Sequence, residues 1–246
     1  MTNRNLERII MSNNKRFETV YTKGRKMKLI AVNGSPRKNG NTAKLLQAFL
    51  DGAKEAQQGV ETEIIQLYDL QYTGCRSCFA CKSVNDKLFG KCAIRDDIHD
   101  ILERVSYADV VAFGSPIYLG EMTGQLKSFL ERLLFPYYTY QKEPRYVTPK
   151  RMQTCMIYTS NADQEEMHER KFDIALENMQ RWVADVLTEP EVMQSYCTYQ
   201  FMDYSKVRAD RFSEKERAKI RNEQFPLDLQ KAFDLGKKLV LRIKEV

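Results

Sequence analysis

Short apolar runs alternate with amphipathic stretches along this chain, and the alternation predicts strands and helices in turn. Leu29 to Asn33 is an apolar run ending in Asn-Gly, the pattern of a strand buried on both faces. Thr42 then opens a helix in which Leu45, Leu46, Phe49, Leu50, Ala53 and Ala56 share one face, with Gly59 as its stop. Val60 to Leu67 reads as a second strand. Asp96 is placed to cap the next helix, whose inward face is Ile98, Ile101, Leu102 and Val105. Asp109 to Gly114 is a third strand, halted by Ser115-Pro116. Thr123 caps a helix with Leu126, Phe129, Leu130, Leu133 and Leu134 inward, and Met152 to Thr159 is a fourth strand. One long helix from Gln164 to Leu187 carries the stripe Phe172, Leu176, Met179, Val183 and Val186. Val192 to Phe201 completes a fifth strand, Ser213 to Asn222 is a charged helix, and a last helix starts near Leu227.

Strands and helices alternate, and the strands are apolar throughout. That combination predicts an α/β fold: a doubly wound parallel sheet with helices on both faces. Five such strands favour the flavodoxin-like order 2-1-3-4-5, in which ligands sit beyond the carboxyl ends of the strands. The loops after the first and third strands lie on that edge. Residues 27–246 are expected to form a single domain with a C-terminal helical addition, behind a basic N-terminal extension, residues 1–26.

Charge changes this picture at one place. The net charge of the 246-residue chain is +6. Arg4, Arg8, Lys15, Arg16, Lys23, Arg25, Lys26 and Lys28 are opposed over that stretch only by Glu7 and Glu18. The stretch has only Phe17 and Tyr21 as aromatics and no zinc-finger or helix-turn-helix pattern, so it reads as a solvated extension or oligomer arm, with no nucleic-acid partner. No apolar run approaches the ~20 residues that span a bilayer, and the start lacks a secretory core. The expectation is a cytoplasmic protein without a membrane partner.

The loop Asn33-Gly34-Ser35-Pro36-Arg37-Lys38-Asn39-Gly40-Asn41-Thr42 has the chemistry of a phosphate site. A strand that turns straight into a helix offers free backbone N–H groups and the positive end of the helix dipole. Gly34 and Gly40 relax the backbone, Ser35 and Thr42 add hydroxyls, Asn39 and Asn41 add amides, and Arg37 adds a charged fork. It is neither a Walker loop nor Gly-x-Gly-x-x-Gly. The loop Ser115-Pro116-Ile117-Tyr118-Leu119-Gly120 offers backbone groups for the polar edge of a planar ligand and Tyr118 for its face. Thr159 and Ser160, at the end of the fourth strand, are a third expected contact.

These two loops resemble those of the NAD(P)H-dependent FMN reductase and iron–sulfur flavoprotein families of the flavodoxin-like superfamily. The first is similar to their phosphate loop. The second, continuing as Glu121-Met122-Thr123-Gly124-Gln125-Leu126-Lys127, is similar to the segment that wraps their isoalloxazine ring. The resemblance covers Met27 to Leu134. It implies bound FMN, NAD(P)H as co-substrate, a small-molecule electron acceptor such as a quinone or free flavin, and a homodimer or homotetramer. The flavin carries the chemistry, so no catalytic residue is nominated. An electron carrier serving a protein partner is the alternative. Its basic balance and the Arg37 loop set this chain apart from classical flavodoxins, which are acidic and carry a Thr-rich loop.

Cys75, Cys78, Cys81 and Cys92 cluster, whereas Cys155 and Cys197 stand alone in expected strands and read as core. Four thiolates suit an iron–sulfur cluster or zinc, and reduced thiols packing a loop suit the pattern as well. The spacing resembles the compact motif of the iron–sulfur flavoproteins and implies [4Fe-4S] ligands at these four positions. The ten residues between Cys81 and Cys92 are more than that family uses. His99 and His168 read as surface residues. Phe135-Pro136-Tyr137-Tyr138-Thr139-Tyr140 reads as core, dimer packing or a flap over the flavin.

Overall fold

A computed structural model of the chain describes residues 26–84 and 87–244. The basic extension, apart from Lys26, lies outside them. The chain runs β1 (Lys28–Asn33), α1 (Asn41–Ala56), β2 (Glu61–Gln66), α2 (His99–Ser106), β3 (Val110–Tyr118), β4 (Glu121–Met122), α3 (Gly124–Leu134) and β5 (Gln153–Thr159). It continues with α4 (Gln164–Glu169), α5 (Phe172–Val186), β6 (Glu191–Ser195), α6 (Glu214–Glu223) and α7 (Phe225–Lys244). The sheet order is β2-β1-β3-β5-β6, every pair parallel, with β4 folded back on β3 as a short hairpin. With β4 set aside, this is the expected 2-1-3-4-5. No helix among the described residues is long and apolar enough to cross a membrane.

Apolar strands demand cover on both faces, and alternate residues of each strand supply two cores. On one face Leu29, Ala31, Val110, Ala112 and Ile157 meet Leu45, Leu46 and Phe49 of α1 and Ala232, Leu239 and Val240 of α7. On the other, Ile30, Val32, Val111, Phe113 and Met156 meet α2, α3 and α5 through Val105, Leu126, Phe129, Leu130, Leu176 and Val183. Each large side chain so buried is worth about 1.5–3 kcal/mol. Helices α1 and α7 cross at two glycines. A Cβ on Gly52 would stand 1.9 Å from the Phe233 carbonyl oxygen, and one on Gly236 would stand 1.9 Å from that of Phe49.

Five local expectations are corrected. Strand β3 is not halted at Ser115-Pro116 but runs on to Tyr118, with Pro116 opposite Thr159. β1 pairs only as far as Gly114. Beyond it β3 has one parallel neighbour, a position where a residue without an N–H is tolerated. The single long helix is two, α4 and α5, because Lys171 takes φ 58° and breaks the helical path. Asp96 does not cap α2, which starts at His99; its carboxylate is committed to Arg132. The fifth strand ends at Ser195, and Cys197 follows as a half-buried loop residue at φ 51° rather than strand core. His99 is half-buried, its Nδ1 3.0 Å from the Ile94 carbonyl, while His168 is exposed beside Asp173. Cys155 is core, as expected.

Candidate functional site

The carboxyl ends of β1, β3 and β5 converge, and three segments meet there. The first is the loop between β1 and α1. Asn33, buried, accepts from the Ser35 amide at 3.0 Å and donates to the Gln66 side chain at 2.7 Å, which sets the turn. The Ser35 hydroxyl accepts from the Arg37 amide at 3.2 Å. Helix α1 is capped by Gly40 with no side-chain cap, and its first turn holds no acidic residue. The leading amides of a helix have no acceptor within it. At this helix start Thr42 Oγ1 lies 2.9 Å from Thr159 Oγ1, both residues buried.

The second segment is the β3–β4 hairpin. Leu119 and Gly120 form its turn with φ 53° and 85°, the left-handed pair that a two-residue turn requires. Phe172 packs so closely over Gly120 that a Cβ there would lie 2.4 Å from the ring. Leu119 and Tyr118 are exposed at the tip. Thr123 fastens this hairpin to the first loop. Its Oγ1 donates to the Gly34 carbonyl at 2.7 Å and accepts from the Leu126 amide at 3.3 Å, capping α3. Its own amide donates to Ser115 Oγ at 2.9 Å. Thr159 and Ser160, both buried, form the third segment. Beside them Arg217 donates to the Asn161 carbonyl at 2.9 Å, while Asn161 Oδ1 and Arg217 Nε are buried without a partner.

The expected site residues Ser35, Gly40, Asn41, Thr42, Ser115 to Gly120, Thr159 and Ser160 therefore share one edge. Arg37 and Asn39 are exposed at its rim. Arg37 donates to the Gln200 carbonyl and Asn41 to the Tyr199 carbonyl, the latter at 3.0 Å, so both hold the segment after β6 against the loop. Sequence reasoning missed that segment, because nothing local announces it. It also missed Tyr68, which follows β2 on the same edge. Burial first, then the neighbouring Tyr118, raises the Tyr68 pKa, against a hydrogen bond with Thr123 that lowers it. Its position at a strand's carboxyl end was the available signal. A groove of about 710 Å³ between Lys28, Glu63, Glu103 and Tyr107 lies at the opposite edge, at the amino ends of the strands.

The donor set fits FMN. An uncapped helix start without acidic residues, two buried hydroxyls and a rim arginine suit a phosphate dianion. An aromatic, turn-bearing hairpin on the same edge suits a flat ring.

A second centre lies below α3. Cys75, Cys78, Cys81 and Cys92 line one pocket together with Phe79, Ile94, Glu131 and Arg132. Cys81 is buried, Cys78 exposed, and Cys75 and Cys92 lie between. Ser77 and Phe79 take left-handed φ, which bends the chain so that the thiols share one side. Burial raises the Cys81 pKa first; Lys82 lowers it, and the other three thiols raise it further. The Lys82 ammonium is held by the Phe135, Pro136 and Tyr138 carbonyls. The Phe135–Tyr140 run thus covers the cysteine loop, where Phe79, Phe135, Tyr138, Tyr140 and Trp182 form one aromatic network. Among the described residues no three His, Cys, Asp or Glu converge on a single metal-ion position. Four thiols with two cations around them fit the donor chemistry of a polynuclear iron–sulfur group. The space they line is about 20 Å³.

Comparison with known proteins places the chain. The model of the family described as NADPH-dependent FMN reductase matches residues 27–151. An iron-sulfur flavoprotein of Methanocaldococcus jannaschii is 41% identical over 106 residues, 43% of this chain and 51% of that protein. One of Archaeoglobus fulgidus is 41% identical over 106 residues, 43% of this chain and 48% of that protein. The chain spans about half the length of the curated relatives it matches. An NAD(P)H:quinone oxidoreductase structure from Methanothermobacter marburgensis superposes with TM-score 0.63 at 15% identity, covering 87% of this chain and all of that one. That likeness is one of fold. The family model, matching half the chain and both loops of the carboxyl edge, shows that this chain belongs to the NADPH-dependent FMN reductase family.

Proposed function

We propose that the chain is an FMN-dependent oxidoreductase that takes electrons from NAD(P)H and delivers them to a small acceptor, a quinone or free flavin. The observation that carries this reading is the uncapped start of α1, tied by Thr123 to the β3–β4 hairpin on the same edge. Ser35, Arg37, Asn39, Gly40, Asn41 and Thr42 would hold the phosphate. Ser115, Pro116, Ile117, Tyr118, Leu119, Gly120, Thr159 and Ser160 would hold the ring. Bound FMN supplies the redox chemistry; the chain binds it, orients it and limits access to it. Exposed Tyr118 and Leu119 at the hairpin tip favour a flat, apolar acceptor. The assay is steady-state oxidation of NADH and NADPH by the FMN-loaded protein with a quinone or free FMN as acceptor. No turnover with either nicotinamide would sink the reductase reading and leave the electron carrier.

The four thiols on one pocket favour a second element, an iron–sulfur cluster held by Cys75, Cys78, Cys81 and Cys92. Anaerobic purification with iron and labile-sulfide analysis tests it. A flavin spectrum with no iron, no sulfide and no added absorbance, even after reconstitution, would leave these residues as thiols.

A further inference from the structure

Arg132 is an anomaly in its helix. It lies among Phe129, Leu130, Leu133 and Leu134 on α3, with its side chain only 1% exposed. A buried cation is tolerated only when its charge and its N–H groups are all answered. Here every donor is used. Nε donates to Cys92 Sγ at 2.9 Å. Nη1 donates to the Thr73 carbonyl at 3.0 Å and to Asp96 Oδ2 at 2.8 Å. Nη2 donates to Asp96 Oδ1 at 3.1 Å and to the Ile94 carbonyl at 3.3 Å. Thr73 precedes the first of the four cysteines, and Ile94 and Asp96 follow the last. One guanidinium therefore closes both ends of the loop and ends on a sulfur. Tyr72, bonded to the Gln125 carbonyl at 2.7 Å, and the Cys75 amide, bonded to Glu131 at 3.1 Å, fasten the same loop to α3.

We infer that Arg132 is a positioning residue that turns Cys92 toward the pocket and, with Asp96 as its counter-charge, sets the reduction potential of the cluster bound there. The inference rests on the cluster reading of the cysteine loop. Reduction of a cluster adds one negative charge, so a nearby cation and an N–H···S bond both favour the reduced form and raise the potential. Asp96, bound to the far side of the same guanidinium, opposes that effect. The two members of the pair must therefore act with opposite sign, which a purely structural role does not require. Lysine cannot replace Arg132, because only the planar fork reaches the sulfur, the carboxylate and two carbonyls at once.

The experiment uses the full chain, purified anaerobically and reconstituted with iron and sulfide, as wild type, Arg132→Met and Asp96→Asn. Iron and sulfide per chain are measured, then the midpoint potential by a dithionite titration followed by paramagnetic resonance. Arg132→Met should move the potential negative by at least a tenfold change in the equilibrium, about 59 mV for one electron, or lose the cluster. Asp96→Asn should move it positive. Where Arg132→Met fails to fold, Asp96→Asn decides alone. A loaded wild type with the Asp96→Asn potential unmoved or shifted negative overturns the inference and leaves the cluster reading standing. A wild type that takes up no iron or sulfide overturns both.

Discussion

Replacing Thr123 by Val tests the link between the two loops of the site. The substitution keeps the branched shape and removes one oxygen. That oxygen is buried, caps α3 through the Leu126 amide and satisfies the Gly34 carbonyl at 2.7 Å. Losing an N-cap costs about 0.5–2 kcal/mol. Leaving a buried carbonyl without its donor costs about 1–3 kcal/mol more. The two losses fall on different atoms and together come to about 1.5–5 kcal/mol, or roughly 3–20 °C in Tm for a domain of this size. Gly34 belongs to the loop proposed to hold the phosphate and Thr123 to the hairpin, so FMN affinity should fall as well. Urea unfolding of the FMN-free protein and a flavin-fluorescence titration measure the two effects separately. Thr123→Ser keeps the hydroxyl and should lose only about 1 kcal/mol, the worth of a methyl group. A Thr123→Val protein within about 0.5 kcal/mol of wild type, below the cost of any lost cap, would refute the reasoning.

Three further outcomes are expected. Arg37→Ala should weaken FMN by about 1.5–3 kcal/mol, the scale of a charge-assisted contact, in equilibrium dialysis; unchanged affinity would place the phosphate elsewhere. Gly236→Ala must open the α1–α7 crossing from 1.9 Å to beyond 3.0 Å. The strain of about 1–3 kcal/mol or more exceeds the ~1 kcal/mol that alanine adds to a helix, so the chemical-denaturation midpoint should fall; a rise would show that the helices part freely. Burial pushes the Tyr137 pKa up to about 12, against a Ser106 hydrogen bond that lowers it. The unfolded chain releases that proton near pH 10 while the native state keeps it. This contribution is therefore intact below pH 10 and lost as pH rises from 10 toward 12. Tyr137→Phe should flatten the alkaline limb of a pH–stability curve, and an identical limb would count against it.

The layout of the sheet was legible because burial on both faces forces continuous apolar strands, and because helix periodicity is local. The loop from Asn33 to Thr42 and the cysteine spacing were legible for the same reason: their chemistry sits in neighbouring residues. Local misreadings came where a distant partner competes. Asp96 has the form of a helix cap, but a buried guanidinium offers it more than a free amide does. Pro116 has the form of a strand end, but β1 stops first and leaves it room. What only the tertiary structure decided is which distant groups meet: Thr123 with Gly34, Arg37 with Gln200, and Arg132 with Cys92. A one-dimensional pattern records which face is buried. It does not record which buried polar atoms must answer each other, and in this protein those pairings tie the β1–α1 loop to the hairpin and the hairpin's helix to the thiols.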